Sequence, residues 1–104
     1  MNRRTAARAK VDVLINRFLD GHPYMCRMTD ISPTGLRLIP MLEPRRNTKF
    51  MGLQFQLPGM DAVLTASAET VEGADGTTGT GVRFTSLPAE TASLIRKFVE
   101  ARHC

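Results

Sequence analysis

Several residue types that define specialised protein classes are scarce in this chain of 104 residues. There is no tryptophan, one tyrosine and only two cysteines, Cys26 and Cys104, too few for a disulfide framework. His22 and His103 lie far apart in the sequence, so no cluster of metal ligands is indicated. We therefore expect no metal site and no cofactor, and we expect Cys26 to be a buried small hydrophobic residue.

Long apolar runs are also missing. No stretch approaches the roughly 20 apolar residues that a membrane-spanning helix requires. The first apolar stretch is interrupted by Asp12, Asn16 and Arg17, which does not fit the core of a signal peptide. With 42% hydrophobic and 23% charged residues, the composition is that of an ordinary globular domain. The expectation is one domain over residues 1–104, cytoplasmic and without a membrane span.

Positive charge is concentrated in the first half of the chain. The net charge is +4, and the first fifty residues hold ten of the fourteen Lys and Arg residues. The tightest group consists of Arg3, Arg4, Arg8 and Lys10. A focused basic segment of this kind attracts phosphate groups of nucleic acids, lipids or nucleotides.

Most of the chain has the pattern of short β-strands. Val11, Val13 and Ile15 alternate onto one face, and the segment 20–23 has the composition of a turn. About six strands separated by turns are typical of a small barrel or sandwich. The predicted strands are 11–18, 24–31, 36–39, 50–57, 62–71 and 82–84.

The end of the chain changes to a helical period. We predict a helix over 87–102, with Pro88 in its first turn and Glu90 at its positive end. Its apolar stripe consists of Thr91, Leu94, Ile95, Phe98 and Val99. The stripe predicts packing against the strands, and the alternative is a helix that docks in a groove of a partner.

Two short motifs suggest a function. The first is Arg4-x-x-x-Arg8, before the first strand, and the second is Asp30-x-Ser32-x-x-Gly35, at the end of the second strand. Each alone has an ordinary interpretation, since paired arginines occur in solvated tails. Asp and Ser in such a spacing often bond their own backbone in a turn.

In this order, and on this pattern of strands, the two motifs resemble those of the PilZ domain family. All five motif positions match, and residues 81–84 followed by a helix resemble the closing segment of the family. The resemblance implies a mainly β fold, a small six-stranded antiparallel β-barrel (10–84) with one C-terminal α-helix packed against it. It also implies a basic arm, residues 1–9, and cyclic di-GMP as the ligand. The implied ligand-binding residues are Arg4, Arg8, Asp30, Ser32 and Gly35, with Arg3 as a contact to a second nucleotide.

The chemistry of these residues agrees with that ligand. Guanine presents O6 and N7 as adjacent acceptors, which an arginine fork meets with two hydrogen bonds, and the same fork pairs with phosphate. The carboxylate of Asp30 accepts from the N1–H and N2–H₂ donors of guanine, and the hydroxyl of Ser32 donates or accepts beside it. Gly35 fits a turn that needs positive φ or a close approach of backbone to ligand, and Pro33 stiffens that turn.

The implied function is that of a receptor and not of an enzyme. We expect a mobile arm in the free protein, which becomes ordered when cyclic di-GMP draws Arg4 and Arg8 towards Asp30 and Ser32. A separate downstream protein then reads the new surface, and the receptor is a monomer or a homodimer. Lys10 and Arg37 are expected to add positive charge at the edge of the site without contacting the ligand directly.

Other interpretations of the sequence are weaker. Glycines 73, 76, 79 and 81 suggest a phosphate loop, but Val82 stands where a Walker motif needs Lys, so a hairpin connection is predicted. Arg45 and Arg46 fit a solvated loop. A nucleic-acid-binding barrel needs exposed aromatic residues, whereas Phe50, Phe55, Phe84 and Phe98 fit core positions. A protein-binding adaptor of PilZ type is the other alternative, although adaptors tend to have lost motif residues that this chain retains.

Overall fold

The computed structural model describes residues 8–41, 49–71 and 80–102. These residues form a closed antiparallel barrel whose strands are ordered β1-β2-β3-β6-β5-β4, and one helix. The strands and the helix are β1 (Ala9–Leu19), β2 (His22–Ser32), β3 (Gly35–Pro40), β4 (Phe50–Phe55), β5 (Leu64–Thr70), β6 (Thr80–Ser86) and α1 (Ala89–Arg102). The predicted fold, a six-stranded barrel with a C-terminal helix, is confirmed.

The element boundaries differ from the predicted ones by a few residues. Ala9, assigned to the arm, is buried in β1 and pairs with Ile31, so the barrel begins one residue earlier. The barrel extends to Ser86. Pro88 lies one residue before α1, where its carbonyl accepts the first helical hydrogen bond, from the amide of Ala92 (3.0 Å). Residues 1–7 of the predicted arm lie outside the described residues, as do Arg45, Arg46, His103 and Cys104.

A tight turn joins β1 and β2. Asp20 and Gly21 both have positive φ (53° and 81°), and Leu19 pairs directly with His22. Two central residues with positive φ match the right-handed twist of the flanking strands, which suits a two-residue hairpin. This turn places the beginning of β1 beside the end of β2.

The interior of the barrel is apolar and is closed by the helix. The core includes Cys26, which is fully buried as predicted. The helix contacts β2, β1 and β5, so its stripe packs against the barrel, as predicted. Thr91, Ile95, Phe98 and Val99 are buried and Leu94 is partly buried. The fully buried large side chains of the barrel strands are Met28, Ile31, Leu36, Leu38 and Leu53.

Phe50 contradicts the predicted core. Phe55 and Phe98 are buried and Phe84 packs against the core, but the side chain of Phe50 is 61% exposed. Phe50 is the first residue of β4 and precedes the inward-facing Met51, so alternation directs its ring outwards. The ammonium group of Lys49 lies 5.8 Å from the centre of that ring.

Candidate functional site

The two sequence motifs meet where β1 begins and β2 ends. Ala9 is opposite Ile31 and Lys10 is opposite Asp30 in the β1–β2 ladder. This antiparallel register brings Arg8, the residue before β1, alongside Asp30 and Ser32. The hairpin therefore joins residues that are 22 and 24 positions apart in the sequence.

Arg8 contacts two residues of the second motif, Asp30 and Ser32. Its Nη2 atom lies 3.0 Å from Oδ1 of Asp30, and its Nε atom donates to the same oxygen at 3.2 Å. Its Nη1 atom lies 3.5 Å from Oγ of Ser32, which is longer than a usual hydrogen bond and makes this a weak contact. The side chain of Arg8 is 47% exposed and that of Asp30 is 22% exposed, so solvent screens this pair and its contribution to stability is small.

A bulge in β2 determines which way Asp30 points. In β2 the core residues Cys26 and Met28 are two positions apart, but the next core residue, Ile31, comes three positions later. The ladder with β3 shifts between Met28 and Asp30, and Thr29 has no partner there. An extra residue of this kind reverses the alternation of the strand. Asp30 therefore lies on the outer surface instead of facing inwards with Met28.

Ser32 organises the turn that follows β2. It is completely buried, and its Oγ atom accepts hydrogen bonds from the amides of Thr34 (3.2 Å) and Gly35 (3.3 Å). The same hydroxyl lies 3.1 Å from Oγ1 of Thr34 and 3.3 Å from the carbonyl oxygen of Gly35. For Ser32 the turn-forming interpretation of the motif thus holds. A ligand contact would be an additional role of this side chain.

Gly35 is needed for a different reason from the one expected. Among the described glycines, positive φ occurs at Gly21 and Gly59 and not at Gly35. A Cβ atom at Gly35 would lie 2.1 Å from the carbonyl oxygen of Val82 in β6. The close approach is therefore made by the chain's own backbone, and it is reinforced by a hydrogen bond from the amide of Phe84 to the carbonyl of Thr34 (2.9 Å). Gly35 permits the motif turn to pack directly on β6.

Positive side chains surround Asp30. Its cross-strand partners are Lys10 on β1 and Arg37 on β3, and Arg83 on β6 is the partner of Gly35. Residues opposite each other in antiparallel strands project to the same face. An anionic ligand at this surface would meet several positive charges. The predicted residues Arg3 and Arg4 lie outside the described residues.

A groove on the described surface lies away from these residues. It has a volume of about 280 Å³ and is lined mainly by outward side chains of β1, β2 and β4, together with Val63. None of the predicted ligand-binding residues lines it. Within the described ranges, no three His, Cys, Asp or Glu side chains are grouped as a metal site would require. No described helix is long and apolar enough to cross a bilayer.

Comparisons with known proteins agree with the observed fold. The family model of the PilZ domain matches residues 2–101. The Bacillus subtilis inhibitor of motility MotI (DgrA) is similar in structure, with a TM-score of 0.79 and 11% identity. That match covers 98% of this chain and 52% of MotI, so the chain spans about half of the length of MotI.

Two further solved structures are similar over most of both chains. The PilZ domain of Escherichia coli YcgR, solved with c-di-GMP, has a TM-score of 0.73 and 15% identity, covering 97% of this chain and 92% of that one. The uncharacterized Legionella protein Lpg0364 has a TM-score of 0.59 and 17% identity, covering 90% of each chain. At such identities the likeness shows the fold alone. A comparison with curated protein sequences gave no match.

Proposed function

The chain belongs to the PilZ domain family, and from the geometry of its site we propose that it is a receptor for cyclic di-GMP. The observation that supports this proposal most directly is the contact of Arg8 with Asp30 and Ser32. Arg8 of the first motif and Asp30 of the second are both partly exposed and lie side by side. The binding that we propose is non-covalent, so the proposed role is that of a receptor and not of an enzyme.

The site offers complementary groups to a guanine nucleotide. The guanidinium of Arg8 can meet the O6 and N7 acceptors of guanine or a phosphate, and the carboxylate of Asp30 can accept from N1–H and N2–H₂. Both groups are partly exposed and already oriented towards one another. Ser32, being buried, would act mainly by holding the turn in place beneath the ligand.

Binding requires the ligand to share or replace the ion pair between Arg8 and Asp30. Because this pair is partly exposed, opening it is expected to cost no more than about 1 kcal/mol. Arg4 would then join Arg8 on the ligand, with Arg3 contacting a second nucleotide. The expected consequence is that amides of residues 1–7 gain protection from hydrogen exchange upon binding. A downstream protein that recognises the arm together with the nucleotide would complete the signal.

Calorimetric titration with cyclic di-GMP tests this proposal. We expect saturable binding that Arg8→Ala weakens about ten- to hundredfold, the loss expected for one two-pronged arginine contact. Arg27→Ala is the matched control, because Arg27 is also an arginine on the barrel surface in an exposed ion pair, with Asp12 (3.3 Å). GTP serves as the control ligand. The measured stoichiometry tests whether Arg3 contacts a second nucleotide.

Two results would contradict the proposal. The first is the absence of heat and of thermal stabilisation at high ligand concentration, which would favour a PilZ adaptor that binds protein instead of nucleotide. The second is an equal effect of the Arg8 and Arg27 variants, which would place any binding away from the motif residues.

One observation favours a second candidate function. The exposed ring of Phe50 beside Lys49 is the type of pair on which a single-stranded nucleic acid can stack. A labelled oligonucleotide titrated at physiological salt tests this candidate. Binding that is lost in Phe50→Ala, but not in Arg8→Ala, would support it over the receptor proposal.

A further inference from the structure

One arginine outside both motifs lies against the motif turn. Arg83 in β6 is the cross-strand partner of Gly35, and its Cα atom lies only 3.1 Å from where a Cβ atom of Gly35 would be. Ser32 is in turn the partner of Gly35 across the β2–β3 ladder. These three residues thus form one row across β2, β3 and β6.

The row places the backbone of a second arginine, Arg83, on the opposite side of the turn from Arg8. Adjacent strands are about 4.8 Å apart, so the Cα atom of Arg83 is about 10 Å from that of Ser32. An extended arginine side chain can cover most of that distance. Arg8 approaches Ser32 from β1, and Arg83 would approach it from β6. A ligand lying over Ser32 and Gly35 would therefore have an arginine on each side.

Glu69 holds Arg83 in the present structure. Nη2 of Arg83 is hydrogen-bonded to Oε2 of Glu69, its cross-strand partner in β5. The side chain of Arg83 is 65% exposed, whereas that of Glu69 is 12% exposed. Lys49 lies 4.0 Å from Oε1 of the same carboxylate. Glu69 therefore keeps a positive neighbour if Arg83 moves away, which lowers the cost of exchanging Arg83 between Glu69 and a ligand.

We propose that Arg83 is a further ligand-contacting residue of this site, and that Glu69 competes with the ligand for it. This inference rests on the proposed function. Arg83 would bind a phosphate group or the O6/N7 edge of a guanine, since both present two acceptors to the arginine fork. The competing carboxylate makes affinity depend on a residue two strands away from the motif turn.

Titration of cyclic di-GMP into five variants tests the inference. Arg83→Ala should weaken binding about tenfold or more, whereas Arg27→Ala should leave it unchanged. Glu69→Gln should tighten binding, by up to about fivefold, because it removes the competitor. The double variant Glu69→Gln with Arg83→Ala should bind like Arg83→Ala alone, because the substitution at position 69 acts only through Arg83. Arg83→Lys distinguishes a contact to phosphate from a contact to guanine, because lysine can replace the phosphate contact better than the two-pronged contact to the base.

The outcomes separate this inference from the proposed function. If the wild-type chain binds cyclic di-GMP and Arg83→Ala binds equally well, the inference fails while the receptor proposal stands. The same conclusion holds if Arg83→Ala lowers only the melting temperature, because a purely structural ion pair would do so. Tighter binding of Glu69→Gln that persists without Arg83 would contradict the competition. If the wild-type chain does not bind, the receptor proposal fails and this inference fails with it.

Discussion

The guanidinium of Arg8 meets the carboxylate of Asp30 at 3.0 Å although 22 positions separate them in the sequence. The hairpin of β1 and β2 produces this contact, because its tight turn at Asp20 and Gly21 aligns the beginning of one strand with the end of the next. The pairing of two consecutive strands thus brings Arg8 of the first motif to the second motif. This makes the Arg8–Asp30 pair the centre of the candidate site.

Asp30→Asn is expected to weaken ligand binding with little effect on the stability of the fold. It removes the carboxylate that guanine donors would use, so affinity for cyclic di-GMP should fall at least about tenfold. The free energy of unfolding should change by no more than about 1 kcal/mol, because the pair with Arg8 is solvent-screened. Calorimetry and urea denaturation measure the two quantities. Asp12→Asn, which breaks the exposed pair with Arg27, is the control; an equal loss of affinity there would argue against a specific role of Asp30.

Ser32→Ala should destabilise the fold itself. The buried hydroxyl accepts from the amides of Thr34 and Gly35, and the substitution leaves these groups without that acceptor. The expected loss in the free energy of unfolding is about 1–3 kcal/mol. Urea denaturation checks it against Ser86→Ala, which removes an exposed hydroxyl at the end of β6. Equal stabilities of the two variants would show that the turn does not depend on Ser32.

Two glycines of the β3–β6 ladder, Gly35 and Gly81, should respond very differently to substitution by alanine. At Gly35 the added Cβ would collide with the carbonyl oxygen of Val82, so β3 and β6 would have to separate locally. We expect Gly35→Ala to cost about 1–3 kcal/mol or more. Gly81, in the same ladder, has nothing within 4 Å of its added Cβ and should tolerate alanine within about 0.5 kcal/mol. Thermal unfolding of both variants checks the contrast, and similar losses at both positions would contradict it.

The sequence predicted the strands and the helix well because their signals are local. Alternating apolar residues and a change to helical spacing each depend on a few neighbouring positions. The spacing of apolar residues in β2 also carries a signal: Met28 and Ile31 are three residues apart, whereas consecutive inward positions of a strand are normally two apart. That spacing indicates the bulge at Thr29, which places Asp30 on the outer surface.

Other features depended on distant contacts and were beyond sequence reasoning. The role of Gly35 depends on Val82, a residue brought near only by the β3–β6 pairing. Phe50 was expected in the core from its aromatic character, but the register of β4 directs it outwards. The contact between Arg83 and Glu69 likewise follows from the β5–β6 ladder. Motif matching identified residues by type, and the topology determined what each one touches.

The last prediction concerns the apolar stripe of α1. The sequence is compatible with packing of this stripe against the barrel or with docking in a groove of a partner. Ile95 is fully buried against the barrel, so the stripe belongs to the core and not to a partner surface. Ile95→Ala should therefore lower the free energy of unfolding by about 2–5 kcal/mol, and Ile95→Val by about 0.5–1.5 kcal/mol. Arg96→Ala, at the exposed neighbouring position, should have little effect.

Denaturation of these three variants measures the effect of the helix on stability, and titration of the folded fraction measures its effect on binding. A loss of stability that is small in Ile95→Val and larger in Ile95→Ala, with unchanged affinity for cyclic di-GMP, would establish that α1 stabilises the barrel without contributing to ligand binding. An Ile95→Ala variant as stable as the wild-type chain would mean that the helix detaches readily. In that case its stripe would be available to a partner, as the alternative interpretation requires.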